Sequence, residues 1–300
     1  MPNYINRYLR LSIWPENANE PAVFGQDWKI TFRVRKCASA TFMSYNTAEI
    51  SVYNMTTALQ EKLSQRYLAV KLDAGYENMH DFIFVGYVYN AVTTKRTTDL
   101  ITTFYCVSNM QAYEKLINEC VNNITVKDLI EKLCKENGIS YSVQTKRNNV
   151  VQRSLTGTLG KTLTKLCAEY RITMSLDNGK LVFKDEDVPA ETLHKSSIKV
   201  FTPNSGMLGN PTVTEVGVRF KSLLQPGLQV NDYFRLEAPY ADYNLSNLNT
   251  APGMVEGGSV NAYAHIETHT YKGVYSVLSI VSSGDTRGNV WYTDVEGRKL

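Results

Sequence analysis

No run of about eighteen apolar residues occurs in this sequence, so nothing in it is expected to enter a membrane. Close spacings of metal ligands such as C-x-x-C are also missing. The five cysteines (Cys37, Cys106, Cys120, Cys134, Cys167) are odd in number, widely spaced and set in apolar-periodic segments. A thiol in such a setting acts as a small hydrophobe, so all five are expected to be reduced core residues. The opening MPNYINRYLRLSIW has neither a basic nor an apolar secretory region, which predicts synthesis in a reducing cytoplasm and leaves the sequons at Asn54, Asn123 and Asn244 without meaning. Charge of one sign is lacking too. With 32 basic and 29 acidic side chains the net charge is +3, which excludes a dedicated nucleic-acid binder neutralising many phosphates.

Chemistry-bearing patterns are equally sparse. There are four histidines and no Gly-x-Ser-x-Gly elbow, so no catalytic set, cofactor site or metal site is expected. SLTGTLGKT ends in Gly160-Lys161-Thr162 like a phosphate-binding loop, but Leu155 stands where that loop needs its first glycine, and helix initiation is the better reading. His265 and His269 form H-x-x-x-H. The alternation of AYAHIETHTY reads as a strand, which sets them about 13 Å apart, too far for one metal to bridge. Asp185, Glu186 and Asp187, shortly before Pro189, read as a solvated turn.

The chain does have enough apolar content, 43% of 300 residues, to give two or three domains a core. Trp28, Ile30, Phe32 and Val34 alternate with Lys29, Thr31, Arg33 and Arg35, the period-2 pattern of a sheet with one wet face. Extended runs follow at Ala48–Tyr53, Leu68–Leu72, Phe82–Tyr89 and Leu100–Val107, with one helix-like stretch at Ala58–Tyr67. Near residue 110 the period changes. Val126, Leu129, Ile130, Leu133 and Cys134 form a helical stripe that Gly138 ends. The same grammar returns 33 residues on, where Thr158, Leu163, Lys165, Leu166, Cys167, Glu169 and Ile172 match Thr125, Ile130, Lys132, Leu133, Cys134, Glu136 and Ile139. Two copies are too few for a solenoid and predict a compact α+β domain closed by a hairpin at Asp177-Asn178-Gly179-Lys180. From Ser197 the β pattern resumes in SIKVF, TVTEVGVRF, YFRLEA, NAYAHIETHTY, GVYSVLSIVS and NVWYT. Residues 239 to 258, rich in Asn, Ser, Gly and Pro, read as a partner-contact loop, with Tyr240, Tyr243, Asn244, Leu248 and Met254 as candidate contacts. The expected fold class is mainly β with an α+β insertion: residues 1–107 a first β domain, a small barrel or sandwich, 108–195 the α+β domain with its duplicate, 196–300 a second all-β domain.

Several phrases, taken in order, resemble the central hub proteins of contractile phage tails, relatives of late-control D proteins and of the hub part of type VI secretion spikes. They are Ile50-Ser51-Val52-Tyr53-Asn54-Met55, Ala74-Gly75-Tyr76, Ile83-Phe84-Val85-Gly86 and Asp99. Later come Ser205-Gly206-Met207-Leu208-Gly209-Asn210-Pro211, Gly217-Val218 and Ser222-Leu223-Leu224-Gln225-Pro226-Gly227. The end, Gly273-Val274-Tyr275 through Gly284-Asp285-Thr286-Arg287-Gly288 to Trp291-Tyr292-Thr293, is similar to the family's closing hairpin. Met207 and the long 240–260 loop depart from the pattern. The resemblance implies tail-tube-like barrels and structural turns at Gly75, Gly86, Gly206, Gly209, Pro211, Pro226, Gly227 and Gly273. It implies a non-enzymatic homotrimer in the virion baseplate, made in the bacterial host cytoplasm. Its partners would be the spike, a hexameric tail tube or distal-tail ring, and the tape measure protein and DNA passing through the lumen. The rival expectations are a tail-associated cell-wall hydrolase and a single-ring tail-tube or distal-tail component.

Overall fold

A computed structural model describes residues 6–15, 18–37, 46–65, 67–108, 114–177, 179–186, 198–214, 217–243 and 271–300. The first part folds as β1 (Arg7–Ile13), β2 (Ala22–Phe24), β3 (Ile30–Cys37), β4 (Thr47–Tyr53), a short helix α1 (Thr57–Leu63), β5 (Ala69–Tyr76), β6 (Met79–Arg96) and β7 (Asp99–Val107). Along β3 every second side chain, Ile30, Phe32, Val34 and Lys36, is buried, as its alternation dictates. The spatial order is β3-β4-β7-β6-β5-β1-β2, antiparallel throughout. Both end strands send side chains into one core, Phe24 from β2 and Ile30, Phe32 and Val34 from β3, so the sheet must roll around it.

The last part contains β13 (Lys199–Phe201), a 3-10 turn at Pro203–Ser205, β14 (Met207–Thr214), β15 (Gly217–Leu223), β16 (Tyr233–Leu236), β17 (Asp242–Tyr243), β18 (Gly273–Asp285) and β19 (Trp291–Lys299). Its order is β17-β14-β15-β19-β18-β16-β13 around a second core of Phe201, Phe220, Phe234, Tyr275 and Val295. Six strands therefore follow one plan twice: β3-β4-β7-β6-β5-β1 and β14-β15-β19-β18-β16-β13. The match reaches individual residues. In β6 the register skips Tyr89 between Val88↔Cys106 and Asn90↔Tyr105, and in β18 it skips Leu278 between Val277↔Gly297 and Ser279↔Glu296. A bulge is a specific device for bending a strand, and its recurrence at the equivalent rung marks the two halves as copies of one design. They differ where β1 runs antiparallel to β5 while β13 runs parallel to β16. The two halves are also fused: β3 pairs with Ser279–Asp285 of β18, giving one fourteen-stranded sheet.

Between them lie β8 (Leu116–Thr125), α2 (Val126–Glu136), β9 (Tyr141–Val143), β10 (Val150–Thr158), α3 (Leu159–Glu169), β11 (Ile172–Asp177) and β12 (Lys180–Asp185). The duplicate is a strand-helix-strand unit, β8-α2-β9 and β10-α3-β11. The two leading strands pair antiparallel and the trailing ones flank β12. Helices of eleven residues are marginal alone, so burial of Val126, Leu129, Ile130, Leu133 and Cys134, at roughly 1.5–3 kcal/mol per large side chain, holds α2 in place. The caps decide where each helix starts. Thr125 accepts from the Asp128 N–H at 3.1 Å and donates to its carboxylate at 2.6 Å, while Thr158 only accepts from the Lys161 N–H at 3.4 Å. Thr125→Ala is expected to cost about 1–2 kcal/mol in urea unfolding and Thr158→Ala about half that. Equal losses would show that the carboxylate bond adds nothing.

Some expectations change. TVTEVGVRF is divided between β14 and β15, whose Thr214 lies opposite Gly217. Cys106, Cys134 and Cys167 are buried, but Cys37 and Cys120 fall on outward positions of β3 and β8 and are exposed. Gly75, Gly86 and Gly273 are strand residues, not turn residues, since they lie within β5, β6 and β18. Gly75 and Gly86 are needed for close approach, because a Cβ there would sit 2.3 Å from the Met79 carbonyl oxygen and 2.4 Å from that of Val107. Gly206 caps the 3-10 turn with φ +91°, and Pro226 and Gly227 lie in the turn before β16. Gly209, with φ +72°, and the buried Pro211 sit in the irregular part of β14. A Cβ at 209 meets nothing within 4 Å, so a larger residue there is opposed by backbone conformation, not space. No helix among the described residues is long and apolar enough to cross a membrane.

Candidate assembly interface

Where β3 meets β18, Gly284 is opposite Phe32, and the Phe32 ring occupies the place its side chain would fill. Trp291, the first residue of β19, packs edge-on to Phe32 at 5.5 Å and donates its indole N–H to the Gly75 carbonyl at 3.1 Å. A residue of the second half thus belongs to the core of the first, as does Leu224. Arg7 lies 5.3 Å from the Trp291 ring and donates to the backbone carbonyls of Asp285 and Gly288. Arg7 and Trp291 border an open cleft of about 920 Å³, further lined by Tyr8, Arg10, Gln26, Glu77 and Arg287.

All three parts converge on Lys36, the last inward position of β3. Its ammonium donates to Gln229 at 2.9 Å, with Asp177, Asp81 and Asp232 as the surrounding carboxylates. Burial pushes its pKa down to about 8 against the pull of those carboxylates, and burial also raises that of Asp177, which Lys36 partly offsets. Around this node Asn46 donates to the Leu176 carbonyl at 2.8 Å, Lys184 lies 3.6 Å from Asp232, and Arg298 pairs with Glu186 at 2.5 Å. The β11–β12 hairpin is thereby tied to both β halves. Between pH 8 and the ordinary lysine value of 10.5 the unfolded chain holds a proton that the folded chain has lost, so stability from this group rises with pH across that window. The stability of the wild type relative to Lys36→Met should therefore increase by on the order of 3 kcal/mol between those limits in denaturant titrations. A flat difference would mean that the ammonium is hydrated.

The distal half of β6, Asn90–Arg96, pairs with β7 on one side and with no strand on the other among the described residues. It is exposed except for the half-buried Ala91, and Tyr89, Val92, Leu100 and Tyr105 on this hairpin are 37–49% exposed. Large apolar side chains beside an edge with no neighbouring strand among the described residues make this hairpin the candidate interaction surface. Of the loop residues expected to meet partners, Tyr240 is 72% exposed and Tyr243 lies in β17, whose backbone pairs with Val213. Asn244, Leu248, Met254, His265 and His269 lie outside the described residues. Gly160-Lys161-Thr162 form the first turn of α3, with the Lys161 amide engaged by its cap. Burial pushes Cys134 and Cys167 up to about 12 and Cys106 higher still, so these thiols stay protonated. Sequence reading missed Lys36 and the β6 edge, although Lys36 continues the inward series Ile30, Phe32, Val34.

A family described as Baseplate hub gp41 matches residues 11–241. The chain belongs to that family. The match runs from β1 to the residue before β17, and so includes the first β half, the middle part and the start of the second. The fold of this hub-family chain also recurs in solved structures. The 43 kDa tail protein of prophage MuSo2 from Shewanella oneidensis aligns with a TM-score of 0.59 at 11% identity, over 97% of this chain and 96% of that one. The tail protein from Neisseria meningitidis MC58 aligns with 0.60 at 8%, again over 97% and 96%. The Escherichia coli c3393 protein aligns with 0.57 at 11%, over 97% and 76%. It is described as a type VI secretion component structurally similar to the T4 tail proteins gp27 and gp5. No curated protein matches the hub-family chain by sequence. A structural role in a phage tail follows from the family.

Proposed function

We propose that the chain is the central hub of a contractile tail, a trimer that adapts a sixfold tail tube to a threefold spike. The observation that carries this reading is the repeated strand order with its repeated bulge. Three copies of a chain holding two like-shaped β units offer six units in a ring. The hexameric tube can then meet near-equivalent surfaces on one side while the spike meets true threefold symmetry on the other. The middle part, tied to both units through the β11–β12 hairpin, sits outside that ring and braces the angle between its two members. The action is passive: no bond is broken, and the ring leaves a lumen for the tape measure protein and DNA. A net charge of +3 suits passage, since a strongly basic wall would hold phosphates.

The test is the mass of the purified chain in solution, alone and with the spike protein. A species of three chain masses that binds a spike trimer is the expected result. A hexamer of the chain, or turbidity loss when the chain alone is added to purified peptidoglycan, would replace the reading with a tube ring or a hydrolase.

A further inference from the structure

Within one chain, one strand pairing joins the first half to the second: the outer edge of β3 on Ser279–Asp285 of β18. The repeated strand order supplies a second donor and a second acceptor for the same contact. β14 is the equivalent of β3, and β6 is the equivalent of β18. The equivalence is fixed residue by residue. Thr47 of β4 and Gly217 of β15 both begin their strands opposite the rung just beyond the bulge, Val107 and Arg298 respectively. Counting from there, Arg35, Val34 and Arg33 correspond to Thr214, Val213 and Thr212. Counting from the skipped residue, Val281, Ser282 and Ser283 correspond to Val92, Thr93 and Thr94. Both donors and both acceptors exist in each chain, but only one pair is joined.

We propose that the Asn90–Arg96 edge of β6 is the docking edge for β14 of a second copy of this chain, in the antiparallel register Val92↔Thr214, Thr93↔Val213 and Thr94↔Thr212. This rests on the trimeric reading above and names the strands that make it. Within the chain the register is Val281↔Arg35, Ser282↔Val34 and Ser283↔Arg33, and the interface between copies repeats it. Such a contact joins unlike surfaces head to tail, so it propagates from copy to copy and ends only in a closed ring. The apolar side chains beside the free edge fit this occupant. Leu100 is the equivalent of Trp291, which in the internal junction crosses into the neighbouring core, and Leu100 stands 37% exposed in the single chain.

In the single chain the outer edge of β14 carries a placeholder. β17 pairs with it in parallel at Thr212↔Asp242 and Val213↔Tyr243. Two rungs are a weak hold, and they cover two of the three positions that β6 of the neighbour requires, so β17 leaves when copies join. A capped edge keeps separate chains from polymerising through mismatched strands.

The experiment replaces the exposed Cys37 and Cys120 by serine and adds cysteine pairs to the full chain. Thr93→Cys with Val213→Cys, and Val92→Cys with Thr214→Cys, should each give a disulfide-linked trimer under mild oxidation. Thr93→Cys with Leu208→Cys should give none. Mixing the Thr93→Cys and Val213→Cys single variants should give linked dimers only. Amide exchange on the unmodified chain supplies a readout free of mutations: Asn90–Arg96 amides should gain protection and Asp242–Tyr243 lose it on passing from monomer to trimer. A trimer by mass with no link at either pair and no protection at Asn90–Arg96 overturns the strand pairing and leaves the hub reading standing. A chain that stays monomeric at every concentration, with and without spike, overturns both.

Discussion

Gly284→Val is expected to lower the melting temperature by roughly 6–12 °C, the counterpart of a loss of about 3 kcal/mol in a chain of this size. Glycine is required at this position by space. A Cβ there would fall 2.3 Å from Cε1 of Phe32, 2.4 Å from its Cζ and 2.8 Å from the Trp291 ring. Neither ring can swing away cheaply. Phe32 is 4% exposed and Trp291 3%, they pack against each other, and the indole is anchored on the Gly75 carbonyl. The strand rung between Gly284 and Phe32 must therefore open, and with it the seam between the two β halves. Phe32→Leu should return part of the loss in the double variant, giving a coupling of about 1 kcal/mol or more in the mutant cycle. An unchanged melting temperature for Gly284→Val would refute the close approach.

Trp291→Ala should be the more damaging change. Truncating a buried tryptophan costs about 3–5 kcal/mol, and the Gly75 carbonyl loses its donor in addition. Trp291→Phe separates the two effects: it keeps most of the ring and should cost about 1–3 kcal/mol. The location of the damage is the sharper test. Trp291 lies in the last strand but belongs to the core of the first half, beside Arg7 of β1. Amide exchange should therefore accelerate in β1, β3 and β5, more than 200 positions away in sequence. Acceleration confined to the second half would mean that the shared core does not couple the halves.

The local grammar of this chain is legible without coordinates. The alternation in ITFRVRKC places Ile30, Phe32 and Val34 inside, and the stripe in VKDLIEKLC places Val126, Leu129, Ile130 and Leu133 inside, because a strand or helix needs only its own periodicity to choose a face. The 33-residue duplicate is legible for the same reason, including the correspondence of Thr125 with Thr158, which the structure shows to be the two helix caps. Lys36 was the nearest miss. Its position in the strand places it inside, but its charge argued for the wet face, and only the groups brought by Asp177, Gln229 and Asp232 show why a lysine can stay there.

By itself the sequence determined that the segment from Ile30 to Val34 is a strand and that the segment from Val126 to Cys134 is a helix, and which of their faces turn inward, since those choices depend on neighbours within a few residues; it did not mark the leading strands β8 and β10. Tertiary structure alone decided that β3 joins β18, that Trp291 serves the opposite core, and that the two ends repeat one strand order with one bulge. Backbone pairing uses the N–H and C=O groups that every residue shares, so composition carries almost no record of which edge meets which. That choice is made by how two rolled sheets fit together in space, and here the fit needs a glycine at 284.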